Sequence, residues 1–242
     1  IFLEGRPPTE VRNLLSSCTY GTPPLVIASR NGHVDVVHYL IKKGVDIEQT
    51  GCVVFDGETV EGVPSLWCAA AAGHFEIVKL LVDNKADVNH TTATNSTPLR
   101  AACFDGHLNI ITYLVERGAD VEIANKHGHT SLMIACYKSR IDVVKYLLSV
   151  NANVNTKSLK GNTALHDSAE AGNTEIVELL LDHGAVMDVD INGLTPMLSA
   201  ASFGHKSVVD FLCQHEKCSL FDKINGLELL GATYVDKKRD IV

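Results

Sequence analysis

The sequence predicts an all-α solenoid of short helical hairpins, and three observations predict it. A small-residue motif recurs six times: PPLVIASRNGH (23–33), PSLWCAAAAGH (64–74), TPLRAACFDGH (97–107), TSLMIACYKSR (130–140), TALHDSAEAGN (163–173) and TPMLSAASFGH (195–205). Successive copies begin 41, 33, 33, 33 and 32 residues apart. Each copy is followed by an amphipathic segment such as FEIVKLLV or TEIVELLL, then by a turn such as GAD or KAD and a VN or VE step. Self-similarity at such a period marks one supersecondary unit stacked on its neighbours, because no single unit buries its apolar face alone.

Each element has its own local cause. Thr97 followed by Pro98 starts a first helix, the hydroxyl serving as cap and the proline occupying a position that needs no donor. The alanine pairs of the first helix let neighbouring units approach closely. The second helix carries Ile, Val and Leu at helical spacing, so one face is buried. Gly118 and Gly184 sit where a helix must end in a left-handed turn. Motif and period together strongly resemble the ankyrin-repeat family, which implies about six full repeats with β-turn fingers between them. The expected organisation is a partial N-terminal repeat over 1–20, with EVRNLLSS as its outer helix. The array then occupies 21–219 with an inserted finger at 50–62, and a helical, TPR-like extension begins over 220–242. The first residue is Ile1, which suggests an N-terminus cut from a longer protein.

Composition bounds the function. A chain that is 45% hydrophobic and 21% charged builds a folded core and is wrong for disorder. No apolar run reaches the length of a membrane span, and no signal peptide is visible. The net charge of −8 argues against nucleic acid, whose phosphates call for a basic surface, and favours a basic partner. Seven cysteines without a Cys-x-x-Cys pair, several of them in helix cores, read as reduced thiols in a cytosolic or nuclear setting.

In such an array the variable positions are the turn residues before the Thr-Pro motif and the residues just before Gly-His. They are Ser96, Phe104 and Asp105 in the third full repeat, and Lys126, His127, His129, Tyr137 and Lys138 in the fourth. In the second, Ala71 and Ala72 leave space above them, and Trp67, the only tryptophan, follows Leu66. The first gap exceeds the period by the finger CVVFDGETVEG, which belongs on the rim of the binding face. Its reach brings Asp56 and Glu58 toward Trp67, Phe104 and Asp105. Carboxylates beside aromatics suit a guanidinium, which stacks on rings and pairs with carboxylates. A solvated acidic loop and a Trp67 that merely packs between first helices are the alternative readings. Phe104 and Tyr137 share an outward register, and exposed aromatics on successive helices speak for binding.

Catalytic and metal motifs are absent. His127 and His129 have no Cys or carboxylate at supporting spacing, so they read as turn residues and no metal or cofactor is expected. The histidines that follow glycine (His33, His74, His107, His205) read as structural. Asp167 and Glu170 lie near His166 on one helix, but without a nucleophile they make no triad. No enzyme is expected.

Five longer stretches carry a finer resemblance: FDGETVEG, TNSTPLRAACFDGHL, KHGHTSLMIACYK, KGNTALHDSAEAGN and LELLGATYVDKKRD. Together they look like the Fem (feminization) family, across essentially the whole chain. The resemblance implies a substrate receptor of a cullin-RING ubiquitin ligase whose ankyrin array reads the C-terminal degron of target proteins, in this branch one ending in arginine. Docking to elongin and cullin would belong to a C-terminal region absent from this chain. Carried over residue by residue, Asp56, Ser96 and Asp105 match degron-binding positions, and Phe55, Trp67, Phe104 and Tyr137 match their aromatic surroundings. In this reading Asp56 and Asp105 neutralise the arginine. Ser96 and backbone donors take the terminal carboxylate, helped by His127, His129 or Lys138. Ser65 stands where proline is commoner in the family, and KSR (138–140) replaces KGH. The competing reading is a general ankyrin scaffold that binds a folded partner without reading its terminus.

Overall fold

A computed structural model describes residues 7–16, 21–55 and 57–215. They fall into two compact units, Ile1–Lys126 and His127–Val242. The expected helical extension at 220–242 and much of the expected partial repeat at 1–20 lie outside the described residues.

The first unit opens with α1 (Pro8–Ser16), which covers most of the EVRNLLSS stretch, and continues with three helical hairpins. These are α2 (Pro24–Arg30) with α3 (Val34–Lys42), α4 (Ser65–Ala71) with α5 (Phe75–Asp83), and α6 (Pro98–Asp105) with α7 (Leu108–Glu116). Between α3 and α4 the chain departs from an all-helical design: β1 (Thr50–Phe55) and β2 (Glu58–Pro64) form a two-stranded antiparallel sheet. The first helices α2, α4 and α6 pack side by side, while α3, α5 and α7 form a second layer. The core lies between layers, where Leu25, Ile77, Leu81, Leu99, Ile110, Ile111 and Leu114 are fully buried.

The second unit repeats the plan with α8 (Ser131–Tyr137) and α9 (Ile141–Ser149), α10 (Ala164–Glu170) and α11 (Thr174–Asp182), and α12 (Pro196–Ser202) and α13 (Lys206–Gln214). Here α10 packs between α8 and α12. Leu132, Met133, Leu147, Leu165 and Ile176 are buried in its core.

Helix starts follow the capping expected from sequence. Thr97 Oγ1 accepts the Arg100 N–H at 3.1 Å with Pro98 in the first turn, and Thr130 Oγ1 accepts the Met133 N–H at 3.3 Å. Gly118 and Gly184 take φ of +90° and +87°, the left-handed turn that ends their helices. The KSR departure has a structural counterpart: Ser139 adopts φ +54° at the turn where Gly73, Gly106 and Gly172 stand in other repeats.

Histidine side chains fasten three of the repeats to the one before. His74 Nε2 donates to the Arg30 carbonyl at 3.0 Å, His107 Nε2 to Ala71 at 3.3 Å and His205 Nε2 to Glu170 at 2.7 Å. Each ring lies over the preceding repeat's glycine; a Cβ on Gly73 would come within 2.7 Å of His107 Cε1. The VN step adds a second fastening, for Asn89 Oδ1 accepts the Asp120 N–H at 2.9 Å and Asn155 Oδ1 the Val186 N–H at 3.0 Å.

Candidate functional site

The inserted finger is a regular hairpin. Phe55 pairs with Glu58, Val54 with Thr59, Val53 with Val60, and Gly51 with Val63. Two residues of β2 face one of β1 at a bulge, where Gly62 takes φ +64°. Alternation gives the hairpin an inner face: Val53 and Val63 are buried, while Cys52 and Val54 point outward. That face lies on α4, where Val53, Val63, Trp67, Cys68 and Ala71 form one apolar cluster with Val26 and Ala101. The space left by Ala71 is therefore filled by the hairpin. Ala72 instead borders a hollow of about 180 Å³ shared with Arg30, Phe55 and Trp67.

Neighbouring repeats hold the hairpin on both sides. Thr22 Oγ1 donates to the Cys52 carbonyl and the Arg30 guanidinium to the Val54 carbonyl. On the other side the Glu61 carbonyl accepts the Ala93 N–H at 2.9 Å. Gly51 has no room for a side chain, since a Cβ there would sit 2.7 Å from Pro23 Cδ.

At the tip, Phe55 brings three aromatic rings together. Its ring meets Trp67 edge-on with centroids 5.4 Å apart, and Phe104 edge-on at 6.4 Å. Trp67 is only 5% exposed and packs in the core of this cluster, which leaves Phe55 and Phe104, both half-buried, as its accessible part. The Trp67 indole N–H donates to Ser96 Oγ at 3.2 Å. Ser96 is itself buried, held in a finger turn in which Thr92 Oγ1 accepts its N–H and its carbonyl accepts the Thr92 N–H.

Two carboxylates belong to this neighbourhood. Glu58 is exposed and pairs with Phe55 across the hairpin end. Asp105 is half-buried and follows Phe104 as the last residue of α6. A carboxylate at a helix C-terminus opposes the macrodipole, so Asp105 does not serve the helix it ends. Asp56 lies outside the described residues. Thus Phe55, Trp67, Ser96 and Phe104 are joined by direct or shared contacts, with Glu58 paired to Phe55 across the hairpin end and Asp105 next to Phe104 in the chain.

His127 and Tyr137 belong to the second unit. His127 is exposed, its carbonyl accepts the Leu159 N–H at 2.9 Å, and its ring lies 6.4 Å from that of His129. Tyr137, 49% exposed at the end of α8, borders a different hollow of about 280 Å³. The wall of that hollow includes Met133, Ile134, Asn162, Asp167 and Glu170. Asp167 is only 8% exposed, and burial, aided by the Glu170 charge, pushes its carboxyl up to about 7. The neighbouring His166 turns away to do structural work. Its Nδ1 accepts the Thr163 N–H at 3.2 Å, and its Nε2–H donates to the Leu194 carbonyl at 3.1 Å. Burial lowers its pKa and favours this neutral ring.

Sequence alone gives Asp167 and Glu170 no role beyond an incomplete triad with His166. A signal for Glu170 was available, because it occupies the register of Phe104 and Tyr137 one repeat further on. Among the described residues no group of His, Cys, Asp and Glu could hold a metal ion, and no helix is long and apolar enough to cross a membrane. Cys52, Cys68, Cys103, Cys136 and Cys213 are free thiols; burial pushes Cys68 up to about 12 and raises Cys103 and Cys136 as well.

Comparison with known proteins agrees with this architecture. The family described as ankyrin repeats (three copies) matches residues 66–158 and 149–223, and the single ankyrin repeat matches 20–51. Protein fem-1 homolog CG6966 of Drosophila melanogaster is 60% identical over 233 residues, which is 96% of this chain and 35% of the relative. Protein fem-1 homolog C of Mus musculus is 63% identical over 241 residues, 99% of this chain and 39% of the relative. The Homo sapiens protein of the same name is 64% identical over 234 residues, covering 96% and 38%. The chain thus spans less than two-fifths of the length of these curated relatives.

Proposed function

We propose, because this chain belongs to the Fem family of ankyrin-repeat proteins, that its first unit binds the C-terminal end of partner proteins whose last residue is arginine. It would do so as the substrate-recognition part of a cullin-RING ubiquitin ligase. The observation that carries this reading is the meeting of Phe55, Trp67 and Phe104 beside the acidic hairpin end and Asp105. Phe55 and Phe104 offer ring surface to a guanidinium, and Asp105, with Asp56 and Glu58 from the hairpin, supplies the opposing charge. The Ser96 hydroxyl accepts from Trp67, and its own proton is assigned to the terminal carboxylate. Elongin and cullin would dock on a part of the protein outside these 242 residues.

Calorimetric titration with a short peptide ending in arginine, beside the same peptide amidated, tests the reading. Binding that disappears on amidation supports it. Equal binding of both peptides would replace it with recognition of basic sequence irrespective of the chain end. A broad interface that tolerates residues added after the arginine would point to the general scaffold instead.

A further inference from the structure

The hollow beside Tyr137 lies wholly within the second unit, and its wall has an unusual composition. Asp167 is a buried carboxyl on α10 that faces the hollow and has no hydrogen bond or ion pair among the described residues. Glu170, one turn further along the same helix, contributes a second carboxylate. Asn162 Oδ1 is buried and also lacks a partner. Lone acceptors of this kind are costly in a folded interior, and two of them on one hollow, with the half-buried Glu170 carboxylate beside them, call for a donor-rich group from outside the chain. Lys160 also borders the hollow but forms no ion pair with either carboxylate among the described residues.

The remaining wall narrows the choice of ligand. Ile134 presents apolar surface from α8, with the buried Met133 behind it, suited to an aliphatic stem, and Tyr137 presents a ring face. A planar cation with several N–H donors satisfies the acceptors and stacks on the ring together, which a lysine ammonium does less well. A volume of about 280 Å³ accommodates one long side chain. The donor set does not suit a metal ion, since no metal-holding group of His, Cys, Asp and Glu occurs among the described residues.

We infer that the hollow lined by Asp167, Glu170, Asn162 and Tyr137 is a binding subsite for an arginine side chain of a partner polypeptide, separate from the aromatic cluster of the first unit. The subsite reads a side chain and needs no free carboxylate, so it does not depend on terminus recognition. Burial holds the Asp167 carboxyl near 7, with Glu170 on its own helix, Cys136 and Tyr137 from α8, and His129 and Lys160 from the turns around it. A guanidinium seated there favours the ionised form, so binding strengthens as pH rises through neutrality.

The chain contains three methionines, of which Met133 lines the hollow. Methyl-labelled methionine therefore gives a three-signal NMR spectrum with one local reporter. Titration with Nα-acetyl-arginine amide at millimolar concentration should move the Met133 signal saturably and leave Met187 and Met197 in place. The Asp167→Asn variant, which keeps the shape of the side chain, should weaken this response at least about tenfold. Glu170→Gln should weaken it in the same direction. Nα-acetyl-norleucine amide, with the stem but no cation, should leave the signal unmoved. An unmoved Met133 signal, an equal response to the norleucine compound, or an undiminished response in Asp167→Asn would each overturn the assignment. Because the ligand has no free carboxylate and the reporter lies in the second unit, none of these outcomes bears on the aromatic cluster.

Discussion

The Trp67 indole N–H donates to Ser96 Oγ, and the His166 Nε2–H donates to the Leu194 carbonyl; the two bonds occupy equivalent places in different repeats. Trp67 and His166 share one register on a first helix. Ser96 and Leu194 each precede the threonine that caps the next first helix. A ring N–H at this register therefore ties a repeat to the finger of its successor, whichever ring carries it.

Loss of the serine hydroxyl should be felt first as instability. Ser96→Ala leaves a buried indole N–H without an acceptor, at a cost of roughly 1–3 kcal/mol. Trp67→Phe should destabilise as well, and the double variant should lose less than the sum of the two. Denaturant unfolding of all three variants measures the coupling, and strict additivity would mean that the bond contributes nothing.

Asp105 is expected to act in binding. A charge pair deprived of one partner loses roughly 2–5 kcal/mol, so Asp105→Ala should weaken an arginine-ended peptide at least about tenfold. Thermal melting of the same variant reads any part Asp105 plays in folding, to which removal of an acid from a helix C-terminus contributes in the stabilising direction. Calorimetry and thermal melting on one preparation separate the two effects. Undiminished peptide binding would place the guanidinium elsewhere.

Asp167 should give stability a pH dependence of definite sign. Its carboxyl stands at about 7 when folded, against about 3.9 in an unfolded chain. The folded state thus keeps a proton that the unfolded state gives up. The stabilisation is fully present below about pH 4, is lost as pH rises to about 7, and changes no further above that; it amounts to about 4 kcal/mol at most. Asp167→Asn should gain stability relative to the unaltered chain across this window. A stability difference that stays flat from pH 4 to 8, followed by denaturant unfolding, would contradict the assignment.

Ser139 offers the opposite kind of change. Its left-handed backbone is one that glycine adopts freely, so Ser139→Gly should stabilise the second unit by about 0.5–1 kcal/mol. The expected readout is a higher denaturation midpoint with an unchanged slope.

The repeats were legible because period, capping threonines and turn glycines each act locally and agree with one another. The place of the finger was legible too, from the surplus in the first gap. Its strands were missed, although Asp56-Gly57 between alternating apolar residues is a hairpin signal. Register put Phe104 and Asp105 among the outward positions, but it could not say that Trp67 turns inward to meet Ser96, since an indole serves equally as core and as surface. Least legible was Asp167: its residue type argues for solvent, and only packing of α10 between α8 and α12 takes it from water.

Stacked repeats ordinarily behave as a one-dimensional chain in which each link is coupled to its nearest neighbours alone. The β1–β2 hairpin tightens two such links at once in the first unit. Rooted in the second repeat, it bonds through Thr22 and Arg30 to the repeat before, and through Ala93 and Phe104 it touches the repeat after. It thereby reinforces both links of the second repeat, and the three repeats it spans should melt as one cooperative block without fraying link by link. A ligand that pulls on the hairpin would load all three together.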